Sequence, residues 1–282
     1  VGKTTTAINL AGILSLPVGS PGNPLGFGKR VLLVDFDPNQ KDLTDLLKLK
    51  PGKLPFSAFL SNYKNNNLQE VISEYRLKAQ NVREYGFDVI PADEVLQQDK
   101  QIIGNLPRGF LRTSLNQVKN QYDYILIDSP AGSNIFTEET IGAADVILMP
   151  SKHNGLASFK NAAMAMRSLF PKLGELRREF EPELGNPFPL PIFFNGENIT
   201  AHQREKAQQA ILAIVKQSKK QDRVDLIHFF FPKYSPSHKC LDIFELPNYA
   251  HIAAAAFSSR PAVFTSKKAR EYYRDLVREY LI

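Results

Sequence analysis

The sequence predicts an α/β protein built on a doubly wound, mostly parallel sheet flanked by helices. Two observations carry that prediction. Short, continuous apolar runs end in turn or charged residues, and helical stretches separate one run from the next. Continuous apolar runs are what strands buried on both faces require. Strands alternating with helices make βαβ units, whose ligands bind at the carboxyl ends of the strands.

In chain order, a helix is predicted over residues 4–16, followed by a Gly- and Pro-dense surface loop over 15–29 and the strand "VLLVDFD" from Val31. A second helix is predicted over 67–78, then the strand "FDVIPAD" from Phe87 and a helix over 109–120. "YDYILIDSP" from Tyr122 and "DVILMPS" from Asp145 read as the next strands, with a helix over 157–170. After an irregular connection over 180–191 come the strand "PIFFN", a helix over 201–219 and the run "LIHFFFP" from Leu226, read as a last strand. Neither irregular segment has the length of a domain linker and no internal repeat is present, so residues 1–282 are expected to form one domain.

Composition narrows the chemistry. Hydrophobic residues make up 43% and charged residues 23%, ordinary values for a globular protein with a sizeable core. The net charge of +6 is compatible with a polyanionic partner without requiring one. Cys240 is the only cysteine, which excludes an internal disulfide and a CxxC pair and fits a reducing compartment. No apolar stretch approaches the roughly 18 residues of a membrane-spanning helix.

Three short motifs carry chemistry. "GKTTT" opens the first helix, where backbone N–H groups and the helix dipole favour an anion. Lys3 would reach the β- and γ-phosphates of a nucleotide, Thr4 would bind Mg²⁺ through its hydroxyl, and Thr5 could donate to the α-phosphate. A helix start that happens to carry Gly-Lys-Thr is the bland alternative, because the first glycine of GxxxxGK[ST] is not in the sequence. In "RVLLVDFDPNQ", Asp35 and Asp37 lie two residues apart at a strand end, and period two aims both carboxylates to one side. Like charges so placed call for a cation or a hydrogen-bond network, unless they are solvated turn residues. "YDYILIDSPAG" delivers Asp128 from a buried strand, a Walker-B-like arrangement, followed by a loop able to respond to the γ-phosphate.

Taken in order, these motifs resemble the ParA/MinD group of P-loop ATPases, whose deviant Walker A has the form KGGxGK[ST][ST]. "VGKTTTAINLA" resembles its closing half, "RVLLVDFDPNQKDLT" its Asp-x-Asp-Pro-Gln turn with Asn39 intervening before Gln40, and "YDYILIDSPAG" its Asp-x-Pro-Pro segment with Ala131 in place of the second proline. "FDVIPAD" and "AADVILMPSKHNGLAS" follow the same pattern, so the resemblance is strong from Val1 to about Met166 and weak beyond. It implies that Gly2, Lys3, Thr4 and Thr5 hold the phosphates and Mg²⁺, that Asp37 positions the attacking water, and that Asp35 and Asp128 serve the metal's surroundings. Asn195, ending "PIFFN", and Pro232, after "HFFF", become candidates for the adenine pocket on their position in the fold. The family's cross-dimer lysine and first strand have no counterpart here, so the sequence is expected to be a fragment lacking that strand and the start of the loop.

The implied function is a cytoplasmic, nucleoid-associated partition ATPase. It would dimerise on Mg–ATP, bind DNA nonspecifically and be released by slow hydrolysis that a ParB-like protein stimulates. The alternative is a MinD-like or cargo-positioning switch on a membrane or protein surface with little hydrolysis. Arg177 and Arg178, then Lys216, Lys219, Lys220 and Arg223, then Lys267, Lys268 and Arg270 are candidate DNA contacts, although a solvated helix face accounts for any single cluster. The tail places Ala269, Tyr272, Tyr273, Leu276, Val277, Tyr280 and Leu281 on one stripe. Glu271, Asp275 and Glu279 on its other face disfavour an anionic membrane, so the stripe is expected to pack on the protein.

Overall fold

The computed structural model describes residues 2–20, 23–37, 42–77, 84–95, 101–132, 134–196, 198–248, 252 and 259–282, with the backbone alone for 23 and 24. They fall into two compact units. One comprises Lys3–Ala143 with Ala250–Ile282, the other Val1–Gly2 with Ala144–Tyr249.

The first unit begins with helix α1 (Lys3–Ser15), which buries Thr6, Ile8, Asn9, Leu10, Ala11, Gly12, Ile13 and Leu14. A helix apolar on nearly every side needs a partner on nearly every side. Strand β1 (Val31–Asp35), buried along its whole length, supplies one of them. The Lys267–Tyr280 helix supplies another, burying Ala269, Tyr273, Leu276 and Val277. Its Tyr273 hydroxyl is hydrogen-bonded to the side chains of Thr6 and Asn9. The apolar stripe of the tail therefore packs on the protein, as expected. Approach here is close enough to require glycine: a Cβ on Gly12 would lie 2.6 Å from Val263 Cγ2.

After β1 come α2 (Asp42–Leu46), α3 (Phe56–Ser61), β2 (Ser73–Leu77), β3 (Tyr85–Ile90), α4 (Phe110–Leu115), β4 (Tyr124–Asp128) and α5 (Ile135–Ala143). The strands form one sheet in the order β2-β3-β1-β4, parallel except for β2. Leu32 and Val34 of β1 face a core shared with Phe36, Phe56, Phe59, Ile90 and Phe110. Alternation sends Val31 and Leu33 to the opposite face, the one α1 covers.

Strand β2 corrects the helix expected over 67–78. Leu68, Val71, Ile72 and Tyr75 happen to recur at helical spacing, but the chain uses a single 3₁₀ turn at Leu68–Glu70 and then extends. In "SEYRL" only Tyr75 is buried, an alternating pattern, and its ring lies 5.2 Å from Phe87 on the antiparallel neighbour.

The second unit holds β5 (Val146–Ile147), β6 (Pro150–Ser151), α6 (Leu156–Met164), α7 (Phe170–Phe180), β7 (Phe188–Pro189), β8 (Phe193–Asn195), α8 (Ala201–Gln221) and β9 (Glu245–Leu246). β5 pairs with β7, while β9-β8-β6 form a parallel sheet. A π turn at Ala165–Leu169 joins α6 to α7, extending the helix expected over 157–170 to Phe180. Thr200 and Gln203 close a capping box that starts α8. The run from Leu226 is not a strand. Ile227–Phe230 is a helical turn begun by the Asp225 carboxylate, which accepts the Ile227 N–H, and it buries Phe230. A short apolar run does not by itself distinguish strand from buried helix.

Each of the three expected basic clusters has a member engaged by the protein itself. Arg177 is 5% exposed, donating to the Ala144 carbonyl at 2.8 Å and to Asp145 at 3.1 Å. Lys219 pairs with Asp225 at 2.7 Å, and Arg270, partly desolvated, donates to the Val263 carbonyl. Lys216, Lys220, Arg223, Lys267 and Lys268 are exposed. Among the described residues no helix is long and apolar enough to cross a membrane.

Candidate functional site

The carboxyl ends of β1 and β4 and the first turn of α1 gather the motif residues of the first unit. Parallel pairing sets Asp35 directly opposite Asp128. The two are 1% and 3% exposed. The like-charge pair predicted on one strand thus sits on two. β1 ends at Asp35, so alternation along the strand does not govern Asp37, which is half-buried beyond it.

Phe36, between the two aspartates, fixes this strand end. Its ring centroid lies 5.3 Å from Phe136, 6.1 Å from Phe56 and 6.2 Å from Phe110. Three rings from three helices surround it, and such packing holds the backbone on either side in one place.

Asp128 accepts a hydrogen bond from the Thr4 side chain and lies in the favourable field of Lys3. Burial outweighs both and, together with the repulsion of Asp37 and Asp42, pushes its carboxyl up to about 6. Asp35 is pushed higher, to about 7, first by burial and further by Asp128. Opposing that rise are its hydrogen bonds with Thr44: Oδ2 accepts the Thr44 hydroxyl at 2.6 Å and the Thr44 N–H at 3.0 Å. The Asp37 N–H lowers it slightly, while Oδ1, also buried, closes no hydrogen bond of good geometry. Two buried, repelling carboxylates beside a helix N-terminus and a lysine make a place where added positive charge is strongly favoured.

Among the described residues no group of three or more His, Cys, Asp or Glu side chains could hold a metal ion. A metal here would therefore depend on a hydroxyl and on oxygens brought by a substrate, the way Mg²⁺ is bound with phosphates. Thr4 and Asp128 suit that arrangement. Asp35 Oδ2 does not, being taken by Thr44, and only its orphaned Oδ1 could answer a nearby cation.

Thr5 is half-buried, and its carbonyl accepts the Asn9 Nδ2 at 2.9 Å. The loop after Asp128 leads into α5, where the Asn134 side chain accepts the Thr137 N–H at 3.0 Å. Glu139 of α5 accepts the Gly109 N–H ahead of α4, and Arg108 pairs with Glu138 and Glu139. The helix after the loop is thereby anchored to its neighbour.

In the second unit Gly2 has φ 69, and a Cβ there would lie 2.5 Å from Asn195 Nδ2. The left-handed backbone favours glycine, and the end of the Asn195 side chain occupies the space that a Cβ would take. Asn195, 8% exposed, ends β8 and faces Leu246 in register, so the residue after the neighbouring strand is Pro247. Pro232 instead follows the Ile227–Phe230 turn and is exposed, so its expected position at a strand end is not observed. Sequence reasoning missed Thr44, Phe36 and Pro247. For Pro247 a faint signal existed, Phe244 and Leu246 alternating about Glu245 before the proline in "FELPN".

An AAA domain profile matches residues 1–184. The chain is 31% identical over 152 residues to the chromosome partitioning protein ParA of Myxococcus xanthus, covering 53% of this chain and 47% of that protein. It spans about half the length of the curated relatives it matches. An ATP complex of Cyanothece McdA superposes with a TM-score of 0.63 at 20% identity, covering 99% of this chain and 90% of that one. The pNOB8 ParA bound to nonspecific DNA gives a TM-score of 0.58 at 22% identity, with coverage of 98% and 93%. At those identities the two structures attest the fold, while the profile reaches further, and the chain belongs to the AAA domain family, among the ParA/MinD-type P-loop ATPases.

Proposed function

We propose that this protein is a partition or positioning ATPase that binds Mg–ATP, dimerises on it, holds DNA without sequence preference and lets go after hydrolysis stimulated by a ParB-like partner. The reading places it in the cytoplasm, at the nucleoid. The observation that carries it is the link between Thr4 and Asp128 beside Lys3, which joins the start of α1 to a buried carboxylate. Relatives support it, one named for chromosome partitioning and one solved on nonspecific DNA.

In this reading Gly2 keeps the phosphate loop open to the substrate, and Lys3 places its ammonium against the terminal phosphates. Thr4 would hold Mg²⁺ through its hydroxyl, Asp128 and Asp35 would serve the metal's surroundings, and Thr5 would donate to the α-phosphate. The ion would offset the phosphate charge that develops in the reaction. Asp37, half-buried at the mouth, orients a water whose oxygen bonds to the γ-phosphorus as the bond to the β–γ bridging oxygen breaks. ADP and inorganic phosphate leave, and the water's proton passes to the products. Asn195 remains a candidate for the base, with Pro247 now a better companion than Pro232 on register. Exposed Lys216, Lys220, Arg223, Lys267 and Lys268 are the candidate phosphate contacts for DNA.

The test pairs turnover with capture. Wild-type protein should hydrolyse ATP faster with DNA and partner, and should co-sediment with DNA only when ATP is present. Asp37→Ala should lower turnover by about 100-fold while keeping ATP binding. Undiminished turnover in that variant removes Asp37 from its role, and ATP-dependent capture by liposomes in place of DNA removes the partition reading.

A further inference from the structure

Thr44 closes the stretch "RVLLVDFDPNQKDLT" but has no part in the proposed function, yet it is 5% exposed and makes three hydrogen bonds to two residues, Asp35 and Ala92. Its N–H and its hydroxyl both reach Asp35 Oδ2, at 3.0 and 2.6 Å. The Ala92 N–H in turn donates to the Thr44 Oγ1 at 2.9 Å. The directions are forced. An amide can only donate, so the hydroxyl accepts from Ala92 with a lone pair and its single proton goes to the carboxylate. One side chain thereby ties the segment after β3 to the end of β1, from a position nine residues along the chain.

The carboxylate it holds is the one opposite Asp128 and two residues before Asp37. Its other oxygen closes no hydrogen bond of good geometry, so Thr44 supplies most of what fixes its orientation. We propose that Thr44 is a positioning residue for ATP hydrolysis: its hydroxyl sets the Asp35 carboxylate, and with it the strand end from which Asp37 is presented to the water. This rests on the ATPase reading above.

Valine has the shape of threonine and keeps the backbone N–H bond to Asp35, but its side chain can neither donate to Asp35 nor accept from Ala92, whereas that of serine does both. In the full protein, Thr44→Val should lower kcat by about 10- to 100-fold, the scale of a small misplacement at a reacting centre. KM for ATP should shift by less than about threefold, because ground-state contacts to the phosphates are untouched. Thr44→Ser should restore most of the loss. A folded Thr44→Val with wild-type kcat overturns the proposal. So does a rise in KM at constant kcat, or a Ser variant as defective as Val, which would make the methyl group the feature that matters. If Thr44→Val fails to fold by circular dichroism, Thr44→Ala against Thr44→Ser gives the same comparison. A wild-type protein that neither binds nor hydrolyses ATP overturns the ATPase reading and this proposal together. Turnover in wild type that is insensitive at Thr44 overturns this proposal alone.

Discussion

Replacing Asp35 with asparagine should stabilise the nucleotide-free protein at neutral pH, by an amount that grows with pH. Burial beside Asp128 raises its carboxyl from 3.8 to about 7 in the folded protein. Below about pH 4 folded and unfolded chains both carry the proton, and Asp35 adds no pH dependence. Between about 4 and 7 the unfolded chain releases a proton that the folded one keeps, so stability falls as pH rises, and above about 7 the loss levels off. Each pH unit across that window is worth about 1.4 kcal/mol, giving about 4 kcal/mol as the order of the full effect. Asparagine preserves the oxygen that accepts from Thr44 and carries no charge. Urea denaturation from pH 4 to 8 without Mg²⁺ or nucleotide, followed by circular dichroism because the chain has no tryptophan, measures the difference between variant and wild type. The difference should start near zero and climb in the variant's favour, reaching its plateau above pH 7. A difference independent of pH would refute the reasoning, since it would mean that Asp35 ionises in the folded protein as it does in the unfolded chain.

Two further outcomes follow from the packing. Phe36→Ala should destabilise the protein by about 3–5 kcal/mol, read as a lower urea midpoint, because it empties the space between Phe56, Phe110 and Phe136. Arg177→Met should cost about 1–3 kcal/mol by leaving the Ala144 carbonyl unpaired. It should leave the salt dependence of DNA co-sedimentation unchanged, whereas removing a true phosphate contact reduces that slope.

The elements that could be read from the sequence are those whose apolar run is continuous, whether buried throughout as in β1 or half-buried up to Asp128 as in β4. β1 and β4 are continuous apolar runs closing on an aspartate, a pattern with few other meanings once a glycine–lysine–threonine helix start precedes them. The misread elements share a different property, that a neighbour decides them. Residues 68–75 satisfy a helical spacing, and only the antiparallel pairing of Tyr75 with Phe87 selects the strand. The apolar run from Leu226 fits strand or helix equally, and the Asp225 carboxylate on the Ile227 N–H selects the turn. Arg177 counted as surface charge in the sequence because nothing local reveals that its guanidinium reaches the Ala144 carbonyl.

The site divides along the same line. Lys3, Thr4 and Asp128 could be named because each ends or begins an element and carries a group with one obvious use. What the sequence could not supply is which carboxylates are neighbours. Counting by two along β1 pairs Asp35 with Asp37, but the strand stops at Asp35 and register pairs it with Asp128 instead. That exchange alters the chemistry. Two carboxylates at a solvated turn repel weakly, whereas burial on adjacent parallel strands raises both above the ordinary carboxylate range, Asp35 to about 7 and Asp128 to about 6. Thr44 holds one of the two in place and Thr4 donates to the other, so each carboxylate is oriented by a hydroxyl from a different helix. Of those hydroxyls, the Thr4 hydroxyl is the one that the proposed site would turn to a bound ion, while the Thr44 hydroxyl, which also accepts from Ala92, stays with Asp35.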